Sequence, residues 1–150
     1  MSKIYAAYGS NMHIEQMKRR CPKAKVIGKG ELLDYKLTFR GGRTGVANVE
    51  RSDRKRVPIV LWEITKECER ALDIYEGYPT LYTKEVVPIA TVDGEKTAMM
   101  YVMAKQYVDM PAMPSEHYFE IIRQGYLDNE MNTVPLMEAL KFMRDEIVNK

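Results

Sequence analysis

A carboxylate at the wrong end of a helix is the first residue that invites a chemical explanation. Leu72-Asp73-Ile74-Tyr75-Glu76-Gly77-Tyr78-Pro79 reads as the close of a helix: Gly77 suits the left-handed position past the last turn, and Pro79 cannot continue it. Glu76 then sits at the negative end of the helix dipole, where a carboxylate costs up to about one kcal/mol and a lysine or arginine would stabilise. The helix begins at Lys66, with Thr65 as its cap and Glu67 and Glu69 in a favourable first turn. Cys68, Ala71, Leu72 and Tyr75 follow i, i+3, i+4, i+7 spacing and are expected to form the buried face. Glu76 lies about 40° around the helix from Leu72 and so flanks that face. The dipole and partial desolvation both disfavour the ionised form, which makes Glu76 a candidate general base near neutrality. A solvent-pointing carboxylate on a helix end, with tyrosines as incidental neighbours, is the structural alternative, and this segment alone leaves both open.

A second stretch, Tyr8-Gly9-Ser10-Asn11, joins a short apolar run, Ile4 to Tyr8, to a helix-like segment from His13 to Arg20. Ser10 or Asn11 is expected to cap that helix, so the turn would present unpaired backbone N–H groups at a positive helix end. Such an end binds carboxylates and polarised carbonyl oxygens without a charged side chain, and Gly9 lets backbone approach a ligand closely. Ser10 as a nucleophile is the rival reading. It lies in no G-x-S-x-G elbow, and neither of the two histidines, His13 and His117, is tied to it. His117 reads as a helix-surface residue.

These two stretches must be positioned by the rest of a 150-residue chain, read as a single domain over residues 1–150 that is long enough to bury a core. Leu33, Tyr35, Leu37 and Phe39 alternate with Asp34, Lys36, Thr38 and Arg40, the period of a half-buried strand, within two strand-like pieces spanning Val26 to Arg40 around Gly28-Lys29-Gly30. Gly41 to Gly45 is a turn without the lysine and hydroxyl of a phosphate-cradling loop. Strands are expected at Val46–Val49 and Val57–Ile64, with the basic run Arg51 to Arg56 as a solvated hairpin tip between them. A further hairpin pairs Thr83–Val92 with Thr97–Met103 through Asp93-Gly94. Pro111 to Ser115 leads into a helix from Glu116, with Ile121 and Ile122 on one side, that gives way to a polar loop after Gly125. The last helix, Pro135 to Val148, carries Leu136, Leu140, Met143 and Ile147 on one face. Strands in mostly hairpin order, with helices between and after them, predict an α+β fold around a curled or closed sheet.

Composition narrows the function. A net charge of +2 is no nucleic-acid footprint, and no stretch approaches the roughly 20 apolar residues that span a bilayer. Two cysteines, Cys21 and Cys68, form no CxxC pair and have only two histidines to join them, which argues against a metal site. With no signal-peptide pattern at the N-terminus, the chain reads as cytoplasmic with reduced thiols.

Three segments in order, YAAYGSNM near the N-terminus, LDIYEGYPTLYTKEVV in the middle and PSEHY opening a late helix, resemble the gamma-glutamylcyclotransferase-like family, which includes the AIG2-like and BtrG-like proteins. The resemblance runs over roughly residues 3 to 140. It implies a small mixed β-barrel with flanking helices and a substrate cavity at one mouth. It places Tyr5, Ala6, Ala7, Tyr8, Gly9 and Ser10, with Asn11 behind them, around a gamma-glutamyl unit, adds Tyr82 and Tyr118 as cavity tyrosines, and puts the catalytic acid/base on Glu76. The implied reaction closes 5-oxoproline and releases a free amine, with no metal or organic cofactor and a small-molecule gamma-glutamyl substrate as partner. Removal of a gamma-glutamyl protecting group, and a ligand-binding domain without turnover, are the alternatives on the same scaffold. A homodimer is the assembly left open.

Overall fold

The computed structural model describes residues 2–149. Five strands form a closed barrel: β1 (Lys3–Ala7), β2 (Lys25–Arg40), β3 (Val46–Ile64), β4 (Tyr82–Thr91) and β5 (Gly94–Met103), in the order β1-β3-β2-β4-β5. β2 and β3 pair as one long antiparallel hairpin from Arg40↔Val46 to Lys25↔Glu63, and β4 and β5 pair antiparallel from Thr91↔Gly94 to Tyr82↔Met103. The β1–β5 contact is parallel, with Tyr5 opposite Met99, and it closes the circle. The expected α+β barrel with flanking helices is therefore the observed architecture. Gly30 is what lets β4 cross β2: a Cβ there would lie 2.4 Å from the Ala90 carbonyl oxygen.

Around the barrel stand α1 (Ile14–Arg20), α2 (Lys66–Glu76), a single turn α3 (Lys105–Val108), α4 (Glu116–Asp128) and α5 (Val134–Val148). Leu32, Leu37, Phe39, Ile59, Leu61 and Ile89 fill the core, and Trp62 and Tyr101 are buried with them. Such close-packed interiors fix the rims on which loops are mounted.

Four expectations change. The basic run is no hairpin tip: Val46 to Ile64 is one strand, and Ser52 to Lys55 bulge out opposite Asp34 alone, whose carboxylate accepts from the Arg54 amide at 3.0 Å. The polar side of β2 is not solvated at its far end. Thr38 and Arg40 are buried because α5 lies over them, with Arg40 held between Glu50 of β3 and Glu146 of α5. The buried stripe of α5 runs Leu136, Ala139, Met143, with Ile147 exposed. Helix α4 continues through Gly125 to Asp128, because Gly125 is a packing contact, not a stop.

Candidate active site

Helix α2 begins and ends as its residues dictate. The Thr65 hydroxyl accepts from the Cys68 amide at 3.1 Å, and Gly77 closes the helix at φ 67°. Glu76 is thus the last helical residue. The residue is half-buried, and it lines a cavity shared with the Gly9–Asn11 turn. Burial pushes that carboxyl up to about 7, with the Arg20 guanidinium pulling the other way. No described residue donates a hydrogen bond to it. Tyr75 departs from its expected place: it is 43% exposed, and only Cys68 and Leu72 of the anticipated face are fully buried. Its ring lies under Arg20, 3.5 Å from the guanidinium carbon, and its hydroxyl bonds that of Ser10 at 3.0 Å.

The N-terminal turn is tighter than expected. Ser10–Met12 forms a 3-10 turn, with the Met12 amide donating to the Gly9 carbonyl at 3.0 Å. The following helix is capped by His13, whose Nδ1 accepts from the Gln16 amide at 3.1 Å, so neither Ser10 nor Asn11 serves as its cap. The extra turn moves the helix start onward and frees both side chains. Asn11 donates to the Tyr5 hydroxyl at 2.9 Å and accepts from Arg20 at 2.5 Å, while its carbonyl accepts from Trp62 Nε1 at 3.0 Å. The amides of Gly9, Ser10 and Asn11 donate to no acceptor among the described residues.

Ten residues line this cavity: Tyr5, Tyr8, Gly9, Ser10, Asn11, Ala47, Glu76, Tyr82, Tyr101 and Tyr118. Ala6 and Ala7, expected among them, are instead buried in the strand pairing of β1 with Leu61 and Val60. Ala47 and Tyr101 are additions the sequence did not signal, since a small residue on one strand and a tyrosine on another become neighbours of Glu76 only when the barrel closes. The Ala47 peptide is held from both sides, its carbonyl accepting from Tyr82 and its amide donating to the Tyr118 hydroxyl at 3.0 Å. Tyr8 donates to the Tyr101 carbonyl at 2.7 Å. Tyr118 and Tyr5 accept bonds and keep their own O–H groups to offer. Burial, and the negative charge of Glu76, push Tyr5 and Tyr8 well above the usual phenol range, so these stay neutral donors. The cavity is small, about 20 Å³, room for a single water.

A larger groove of about 360 Å³ lies between the Arg54–Pro58 stretch and α5, but its one carboxylate, Glu138, is exposed, so the proton-transfer geometry belongs to the smaller cavity. Among the described residues no group of three or more His, Cys, Asp or Glu side chains could hold a metal, and no helix is long and apolar enough to cross a membrane.

The family model for gamma-glutamyl cyclotransferase, AIG2-like, matches residues 5–120, a span that includes the turn, Glu76 and Tyr118. The chain belongs to this family. It is 31% identical over 135 residues to the gamma-glutamylcyclotransferase of Homo sapiens, a stretch covering 84% of this chain and 71% of that protein. The gamma-glutamylcyclotransferase of Bos taurus is 30% identical over the same coverage. A solved gamma-glutamyl cyclotransferase structure superposes with a TM-score of 0.81 at 32% identity, covering 94% of this chain and 87% of that one. The resemblance read from YGSN, LDIYEG and PSEHY thus identifies an enzyme family, and the barrel is the fold of a solved member.

Proposed function

We propose that this protein is a gamma-glutamyl cyclotransferase that converts a gamma-glutamyl amide into 5-oxoproline and a free amine, with Glu76 as general acid/base. One observation carries the reading: a carboxyl buried without a hydrogen-bond partner faces the same cavity as three unpaired amides of the Gly9–Asn11 turn. The names of the relatives supply the reaction class, and the geometry supplies roles for residues.

Glu76, ionised near neutrality, takes a proton from the substrate α-ammonium. The freed amine attacks its own γ-carbonyl carbon, and the N–C bond of the five-membered ring forms. The carbonyl oxygen, now an oxyanion, is received by the amides of Gly9 and Ser10. As the bond to the leaving nitrogen breaks, protonated Glu76 delivers a proton to it. Two protons pass in all from the attacking to the departing nitrogen, and Glu76, alternately base and acid, is placed to carry them. Tyr5 and Tyr118, each with a free O–H, hold polar groups of the glutamyl unit, and the rigid wall of Tyr8, Tyr82 and Ala47 folds it toward ring closure.

The test is release of 5-oxoproline by purified protein from gamma-glutamyl-alanine, gamma-glutamyl-lysine and glutathione. Turnover of at least one, lost by about 10²-fold or more in Glu76→Gln, supports the reading. Tight 5-oxoproline binding with no turnover of any would instead make this a ligand-binding domain. Light scattering on the same preparation separates a monomer from the homodimer.

A further inference from the structure

Two nucleophilic side chains take no part in that reaction. Cys21 and Cys68 are both free thiols, both buried, and neither lines the Glu76 cavity. They come from different helices. Cys21 closes α1, its amide donating to the Met17 carbonyl at 2.8 Å. Cys68 is the third residue of α2, and its amide donates to the Thr65 hydroxyl at 3.1 Å. The Cys21 thiol donates to the Cys68 carbonyl at 3.5 Å, and the two side chains interact directly as well. Both residues line one hollow of about 280 Å³, several times the space a water occupies, together with Arg20, Lys23, Thr65 and Glu67.

The two thiols are not equivalent. Burial pushes Cys21 up to about 12, and its hydrogen bond to Cys68 adds to the rise. At Cys68 burial also acts upward, but hydrogen bonds from Thr65, Cys21 and the Lys23 backbone outweigh it and hold the thiol below its usual value. The positive start of α2 and the cations Arg20 and Lys23 around the hollow favour the same thiolate. Cys68 is thus the nucleophile of the pair. Cys21 stands beside it as a neutral thiol, the arrangement of a reactive cysteine with a resolving partner.

We propose that Cys21 and Cys68 form an oxidative modification site, where a hydroperoxide oxidises Cys68 and Cys21 resolves the product as a disulfide joining α1 to α2. The Cys68 sulfur attacks a peroxide oxygen and the O–O bond breaks. The departing oxygen leaves as water or an alcohol, with the proton that Cys68 gave up. Cys21 then attacks the sulfenic acid on Cys68: the S–S bond forms, the S–O bond breaks, and the hydroxyl leaves as water with the Cys21 proton. Two electrons pass from the thiol pair to the peroxide. The new bond ties residues 47 apart in the chain, with β2 and β3 between them, and so restricts the unfolded state.

Hydrogen peroxide added to the purified full-length protein is the probe, read by intact mass, peptide mapping and a thermal melt. The expected product is lighter by two hydrogens and yields a linked Cys21–Cys68 peptide pair that dithiothreitol separates. Its Tm should exceed that of the reduced protein by roughly 5–15 °C. Under the same treatment Cys21→Ser should stop at a Cys68 sulfenic acid captured by dimedone, while Cys68→Ser should keep Cys21 as a thiol. In wild type, no linked pair, a disulfide between two chains, over-oxidised Cys68 without a bond, or an unchanged or lower Tm would overturn the proposal. Equal dimedone labelling of the two variants would overturn the order of attack. The wild-type readouts stand even where a serine variant fails to fold. None of them uses 5-oxoproline release, so failure here leaves the cyclotransferase reading intact.

Discussion

The Tyr101 hydroxyl donates to Asp73 Oδ1 at 2.6 Å, tying strand β5 to helix α2 three residues before Glu76. Lys84 joins the same carboxylate and bridges it to Glu69. The helix that delivers the proposed base is therefore pinned to the barrel wall along its length and not only at its cap. Tyr101→Phe leaves the Lys84 pair in place, so the expected stability loss is about 1 kcal/mol, a few degrees in Tm. Displacement of a catalytic group by about 1 Å can cost up to about 10²-fold in rate, so a smaller shift still shows in the kinetics. A fall in kcat/KM of about tenfold, measured beside that small Tm change, is the expected outcome; unchanged kinetics would remove the positioning role.

Glu76 links stability to activity with opposite signs. Its folded-state pKa, about 7, lies above the usual carboxylate value of 4.5, so the native state binds more protons between those limits and stability falls as pH rises through that window. The penalty is absent below the unfolded pKa and complete above the folded one, amounting to roughly 3 kcal/mol. Chemical denaturation at pH 8 should therefore show Glu76→Gln to be more stable than wild type, with the gap closing by pH 4.5. Over the same range kcat/KM of the wild type should climb toward a plateau above pH 7, as the base ionises.

Gly125 backs the site turn from the side of α4. A Cβ there would lie 2.8 Å from the Met12 Cβ and 2.9 Å from the His13 nitrogen, and the latter is backbone that cannot rotate aside. Gly125→Ala gains helix propensity yet should destabilise by about 1–3 kcal/mol through overpacking, with a loss of turnover as the Ser10–Met12 turn shifts. A thermal melt and one kinetic run decide it; a stabilised, fully active variant would show that the helices simply part.

Far from the site, Arg40 joins β2, β3 and α5 through Glu50 and Glu146, and its side chain is 7% exposed. Arg40→Ala leaves those two carboxylates facing each other in a shielded place. The expected cost is about 3–5 kcal/mol in urea unfolding, with kcat of the surviving folded fraction unchanged.

Much of the site was legible because its signals are local. The misplaced charge of Glu76, the stop at Gly77, the Thr65 cap and the amide-rich turn from Gly9 to Asn11 each depend on a few consecutive residues, and the structure puts the turn and the glutamate on one cavity. The errors lie where two segments meet. Side-chain alternation in β2 holds for Leu37 and Phe39 but fails at Leu33, which is exposed while Leu32 is buried because a bulge shifts the register between Leu33 and Tyr35. Only α5 lying across the strand could show that Thr38 and Arg40 are covered. Helical spacing places Tyr75 on the core face without knowledge of what packs there; Arg20 takes the place of the core, its guanidinium carbon 3.5 Å from the ring.

By itself, then, the chain determined both ends of α2, the β4–β5 hairpin, the family it belongs to and the residue most in need of explanation, since capping, turn chemistry and periodicity act over one or two turns of backbone. Closure of the barrel decided the rest: Ala47 and Tyr101 beside Glu76, Trp62 on the Asn11 carbonyl, and Ala6 and Ala7 buried in the β1–β3 pairing. Those contacts join residues tens of positions apart through strand order and register, which become fixed only when β1 meets β5.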